Sequence, residues 1–136
     1  MKSYRGIASK IFGLVLILLL MANGYTTAKS SSLALVENGK ANVKIVLAAK
    51  AVRSAERTGA RELAEYLFKV TGVYFELIPE ARSTGKGKEI FVGQTKFAEE
   101  NGVLTNDLGE EEWVIRTVGD NLVLTGGRPR GTLYAV

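Results

Sequence analysis

Residues 126–132, Gly126-Gly127-Arg128-Pro129-Arg130-Gly131-Thr132, carry the strongest chemical signal in this chain of 136 residues. A glycine-rich turn between a strand and a helix exposes backbone N–H groups. Two guanidinium groups beside them would make a cradle for phosphate or another anion. Three features weigh against that chemistry. The segment lacks the Gly-Lys-Ser/Thr ending of a P-loop, it lacks the G-x-G-x-x-G spacing of a dinucleotide site, and Pro129 removes a donor. The alternative is a tight structural turn in which Arg128 and Arg130 bind nearby carboxylates or carbonyls.

Glu110-Glu111-Glu112 offers carboxylates for acid–base work. Glycosidase pairs act across about 5–10 Å from opposite sides of a sugar, and three adjacent residues in one acidic loop do not provide that geometry. A solvated loop fits them better. Asp107 with these glutamates would make a calcium site only with Asp-x-Asp-x-Asp spacing, which is missing. Trp113, Tyr66, Tyr74 and Tyr134 could stack on sugar rings as an exposed, coplanar set. Trp113 opens a strand and Tyr74 lies inside one, so packing is expected of both. The chain has no histidine and no cysteine, which removes Ser-His-Asp and Cys-His nucleophiles, thiolate and imidazole metal sites, and haem ligation. Carboxylates alone would remain for catalysis or for a hard cation, and no catalytic residue, cofactor or metal ligand is assigned among them.

The elements that would position these residues read as an α/β layer. Residues 33–37 and 43–47 are apolar and β-branched, and Asn38-Gly39 between them suits a tight hairpin turn. Residues 54–71 form the best helix. Ser54 can cap it, Glu56 meets the positive dipole end, and Ala60, Leu63, Ala64 and Leu67 make an apolar stripe. Arg61, Glu65 and Lys69 stand four apart on the solvated side. Gly59 weakens the helix by roughly 1 kcal/mol relative to alanine, and Gly72 stops it. Strands follow at 73–78, closed by Pro79, and at 89–92, closed by Gly93. Between them residues 81–88, rich in Ser, Thr, Gly and Lys, read as an exposed loop. A helical turn at 97–101 and an irregular acidic stretch at 102–112 lead to strands 113–118 and 122–125, paired across Gly119-Asp120-Asn121. The expected fold is α/β, a mixed sheet of about six strands with helices on one face. A last helix begins at Tyr134. A helix needs roughly 12 residues to hold alone, so this one is expected to be truncated.

The formal charge of +4 belongs mostly to the first 28 residues. Three of the 18 basic residues and none of the 14 acidic ones lie there, and the nearly neutral remainder offers no electrostatic footprint for nucleic acid. Residues 1–28 have the form of a secretory signal peptide: a basic start, an apolar run at 11–22, then small polar residues. The run is too short to span a bilayer, which takes about 20 apolar residues. Cleavage is expected after Gly24 or after Ala28, with an uncleaved signal anchor as the alternative. The mature domain, residues 29–136, is then secreted or periplasmic, with the membrane involved only through the signal. Without cysteine, no disulfide framework staples it. Its length suits one small domain.

Five segments together carry a family resemblance: Leu35-Val36-Glu37-Asn38-Gly39-Lys40, Ala60-Arg61-Glu62-Leu63-Ala64-Glu65-Tyr66-Leu67, Val70-Thr71-Gly72, Ile90-Phe91-Val92-Gly93, and Thr125 through Val136. They resemble the N-terminal domain of bacterial alpha-glucuronidases. They are similar also to the second domain of beta-hexosaminidases and to large secreted proteins that share it. In those families the domain precedes a (β/α)₈ barrel that holds the catalytic carboxylates. The resemblance therefore implies a non-catalytic accessory domain of a polysaccharide-degrading glycoside hydrolase. Its partner would be a C-terminal catalytic barrel absent from these residues, and polysaccharide would be the eventual ligand. Gly126, Gly127, Arg128, Gly131 and Tyr134 would then be structural residues of a domain junction. From a different class, the alternative is a free-standing carbohydrate-binding or surface-adhesion module.

Overall fold

The computed structural model describes residues 32–49 and 55–136. The expected signal peptide, its two cleavage sites and the Ser54 cap lie outside the described residues. Strands β1 (Val36–Glu37) and β2 (Lys40–Ala41) form a small antiparallel hairpin. Its turn residues Asn38 and Gly39 have φ of 51° and 72°, the positive pair that an Asn-Gly turn adopts. The pairing differs from the expected one. A two-residue turn fixes the partners as Glu37↔Lys40 and Val36↔Ala41, which leaves residues 43–47 out of reach. Asn42 then turns the chain away, its backbone N–H donating to the Leu35 carbonyl and its side-chain amide to the Ala34 carbonyl.

β3 (Lys44–Leu47) instead enters a five-stranded sheet with β4 (Leu77–Pro79), β5 (Glu89–Val92), β6 (Trp113–Val118) and β7 (Asn121–Gly126). The order is β4-β3-β5-β7-β6. The first four strands are parallel, and β6 is antiparallel to β7 at one edge. Three helices complete the α/β architecture: α1 (Ala55–Thr71), α2 (Lys96–Glu100) and α3 (Gly131–Tyr134). The expected strand at 73–78 is shorter, because β3 offers only Ile45–Leu47 as partners for β4. Pro79 sits on this outer strand, where its missing donor costs no ladder bond.

The central strands are apolar on both faces, as strands covered on two sides must be. Ile45, Ile90, Val92 and Leu124 join Ala60 of α1 and Ala135 after α3 in one buried cluster. Leu63, Ala64 and Leu67 pack against it, so the predicted stripe faces the sheet. Val46, Ile78, Phe91 and Val123 point the other way and pack with Ala98 of α2 and with Val103. Helices thus lie on both faces rather than one. The five-residue α2, capped by the Thr95 hydroxyl accepting from the Ala98 N–H, covers the second. Phe91 and Phe97 stack there at 4.0 Å between centroids. No helix among the described residues is long and apolar enough to cross a membrane.

Gly72, with φ of 71°, ends α1 as predicted, its N–H donating to the Phe68 carbonyl. Gly59 has a use that helix propensity does not reveal. It is buried where α1 and α3 approach, and a Cβ there would stand 3.2 Å from Val136 Cγ2. One polar group is stranded in the interior: Thr125 Oγ1 is buried with no hydrogen-bond partner among the described residues. A buried hydroxyl left unpaired costs about 1–3 kcal/mol. Thr125→Val keeps the shape and should raise stability by about 1 kcal/mol, measured as an upward shift of the urea midpoint. A downward shift would show that the hydroxyl is engaged after all.

Candidate functional site

In open α/β sheets, ligands settle outside the carboxyl ends of the parallel strands, where the strand order reverses. Here the chain leaves β3 for β4 on one side and later returns to β5 on the other, so the reversal lies between β3 and β5. Two glutamates lie at those ends. Glu80 accepts from the Ala49 N–H at 3.3 Å and from the Lys96 N–H, joining the end of β3 to the start of α2. Glu56, in the first turn of α1, is buried and packs on Gly93, whose φ is 90°. A Cβ at Gly93 would come within 2.9 Å of the Glu56 side chain. The sequence showed Glu56 only as a charge favourable to the helix dipole, and gave no sign of Glu80. A signal existed in Gly93 directly after an apolar strand, since glycine there often marks a close approach.

The glycine-rich turn continues from the end of β7 into α3. Its three glycines are demanded by space. A Cβ at Gly127 would fall on the Gly109 carbonyl, and one at Gly131 on the Glu112 carbonyl. One at Gly126 would collide with the backbone of Gly131. Two of the N–H groups a phosphate would use are engaged. Gly127 donates to the Glu112 carbonyl at 2.9 Å, and Gly131 donates to the Gly127 carbonyl at 2.7 Å. Arg128 reaches the Glu56 carboxylate at 3.8 Å, and Arg130 donates to Glu111 at 2.9 Å. Tyr134 stands exposed on α3.

The acidic loop disperses its carboxylates. Glu111 takes Arg130, Glu112 accepts from the Gly109 N–H at 2.8 Å, and Glu110 is exposed. Among the described residues no group of three or more acidic side chains stands close enough to hold a metal ion. The Arg130–Glu111 pair is more than half exposed on both sides and so contributes about 1 kcal/mol or less.

The aromatic residues break the packing expectation. Trp113 is 52% exposed and Tyr74 79%. Tyr74 lies before β4 rather than within it, and stacks on Phe68. Trp113 is exposed because β6 is an edge strand. Its register, Trp113↔Gly126 and Ile115↔Leu124, puts Trp113 and Ile115 on the same sheet face as Leu124. Leu124 is buried, whereas Ile115 is 52% exposed. On that face the helices leave Trp113 and Ile115 of β6 half exposed. No protein-family model and no curated protein matches the chain.

Proposed function

We propose that residues 29–136 are a non-catalytic accessory domain of a secreted, polysaccharide-degrading glycoside hydrolase of the alpha-glucuronidase type. The observation that carries this reading is the exposed pair Trp113 and Ile115 on the edge strand β6, on the same sheet face as the buried Leu124. An apolar strip left open on an otherwise covered sheet face is a surface for a second domain, and the (β/α)₈ barrel of such an enzyme is the occupant proposed. The engagement of Glu111 by Arg130 and of Glu112 by the Gly109 N–H agrees with a structural use of this acidic loop. Residues 1–28 would direct export to the periplasm or medium. In this reading Gly126, Gly127, Arg128, Gly131 and Tyr134 form the junction towards the barrel.

A second reading, a free-standing carbohydrate-binding module, is favoured by the exposure of Tyr66, Tyr74, Trp113 and Tyr134. Trp113→Ser separates the two. Stability should stay within about 0.5 kcal/mol, as for most exposed positions. The accessory reading expects the chain to bind no soluble xylo-oligosaccharide and to turn over no aryl glycoside, with or without the substitution. Oligosaccharide binding that Trp113→Ser abolishes would favour the module. Turnover lost on Glu111→Gln or Glu112→Gln would overturn the non-catalytic assignment altogether.

A further inference from the structure

A cavity of about 350 Å³ opens at the amino-terminal ends of β3 and β5, on the sheet face that carries Ile78. Apolar lining comes from the buried Ile78 on that face, with Val43, which packs into the core of the opposite face, at its edge. Three cations line it from three separate segments: Lys44 from β3, Arg82 from the 3₁₀ turn after β4, and Lys88 from the loop entering β5. That loop, Ser83-Thr84-Gly85-Lys86-Gly87-Lys88, has the composition of a flexible connector, yet buried polar groups hold it in place. The Glu89 carboxylate accepts from the Ser83 hydroxyl at 2.8 Å and the Gly85 N–H at 3.2 Å. The Asn121 side chain accepts from the Glu89 N–H at 3.0 Å and donates to the Gly85 carbonyl at 3.4 Å. Glu89 and Asn121 are both buried. Burying a carboxylate and an amide is costly unless each is satisfied, and here both serve to fix the loop.

The charges around the cavity are unequal. Lys88 has no ion-pair partner among the described residues. Glu76 is shared, 3.0 Å from Lys44 and 4.0 Å from Arg82. The Lys44 ammonium beside it holds its carboxyl below the ordinary value. Glu89 also lines the cavity, with one carboxylate oxygen engaged by Ser83 and the Gly85 N–H. Cations on a preorganised frame beside the apolar Ile78 suit an anionic group with a compact body.

We propose that this cavity binds the oxyanion group of a monosaccharide-sized molecule, with Lys44, Arg82 and Lys88 on the anion and Ile78 against its body. The site is independent of the accessory-domain reading and of the glycine-rich turn. Carboxylate, phosphate and sulfate share the required chemistry, and three probes distinguish them. The full 136-residue chain, labelled with ¹⁵N, is titrated separately with inorganic phosphate, inorganic sulfate and D-galacturonate. Saturable shifts of the Lys44, Thr84 and Lys88 amides are expected with at least one probe. Saturation by phosphate or sulfate alone assigns a tetrahedral anion, and saturation by galacturonate alone assigns a carboxylate. Arg82→Ala and Lys88→Ala, both exposed substitutions, should each weaken that binding by about tenfold or more through loss of a charge-assisted hydrogen bond. Glu76→Gln should tighten it by releasing Lys44 and Arg82, an effect that a merely structural role would not produce. Shifts that rise linearly with all three probes and equally with chloride would overturn the site. Saturable binding unchanged in both cation variants would overturn it as well.

Discussion

Gly127→Ala should be the most damaging single methyl group in the chain, lowering stability by more than about 3 kcal/mol. The cause is space rather than backbone conformation. A Cβ at this position falls on the Gly109 carbonyl, with the Leu108 carbonyl 2.8 Å away. The Gly127 N–H also donates to Glu112 on the same loop. Relief would require the 108–112 backbone to move, and with it the ion pair of Glu111 and the hydrogen bond of Glu112. Gly119→Ala is the control. Its φ of 58° strains an L-residue, but a Cβ there meets nothing within 4 Å, so the cost should be about 1 kcal/mol. Urea unfolding of both variants distinguishes crowding from conformational strain. Equal losses would mean that the turn yields easily and that its glycines are not demanded by packing.

Phe91→Ala should cost about 3–5 kcal/mol, the range for deleting a buried aromatic side chain. Phe91 is fully buried on the face covered by α2, stacked on Phe97 and flanked by Val46 and Val123. A sheet covered on one side only would expose Phe91, and its truncation would then be nearly silent. Val70→Ala, at a side chain 82% exposed, supplies that silent reference, within about 0.5 kcal/mol. The difference between the two measures how far the short α2 and residues 103–105 constitute a core of their own.

The local features of the fold were legible because their causes are local. Asn38-Gly39 sets positive φ wherever it occurs, the stripe Ala60, Leu63, Ala64 and Leu67 marks a helix face, and Gly72 stops that helix. The hairpin of β6 and β7 follows from two apolar runs joined by a tight turn. Strand partnership was not legible. Residues 43–47 look equally able to pair with 33–37 or with a distant parallel strand, because side-chain alternation records faces and not neighbours. The second core was hidden for a related reason. The run Ile90-Phe91-Val92 declares burial on both sides but does not say which later segment covers Phe91. In the glycine-rich turn, Arg128, Arg130 and the three glycines were visible as a motif. Their engagement depends on Glu56, Glu111 and the 108–112 backbone, which the sequence places 14 to 72 residues away. Glu56 and Glu80 were missed because a lone acidic residue looks solvated until the fold surrounds it.

The function proposed for this chain is that of an exported domain serving a larger catalytic body. Intact mass spectrometry of the mature protein, purified from the organism that makes it, tests that claim most directly. The expected result is a polypeptide beginning after Gly24 or Ala28, with a mass well above the 14.7 kDa of these 136 residues and peptides of a glycoside hydrolase barrel beyond Val136. A mature species that ends at Val136 and retains its first 28 residues would contradict it.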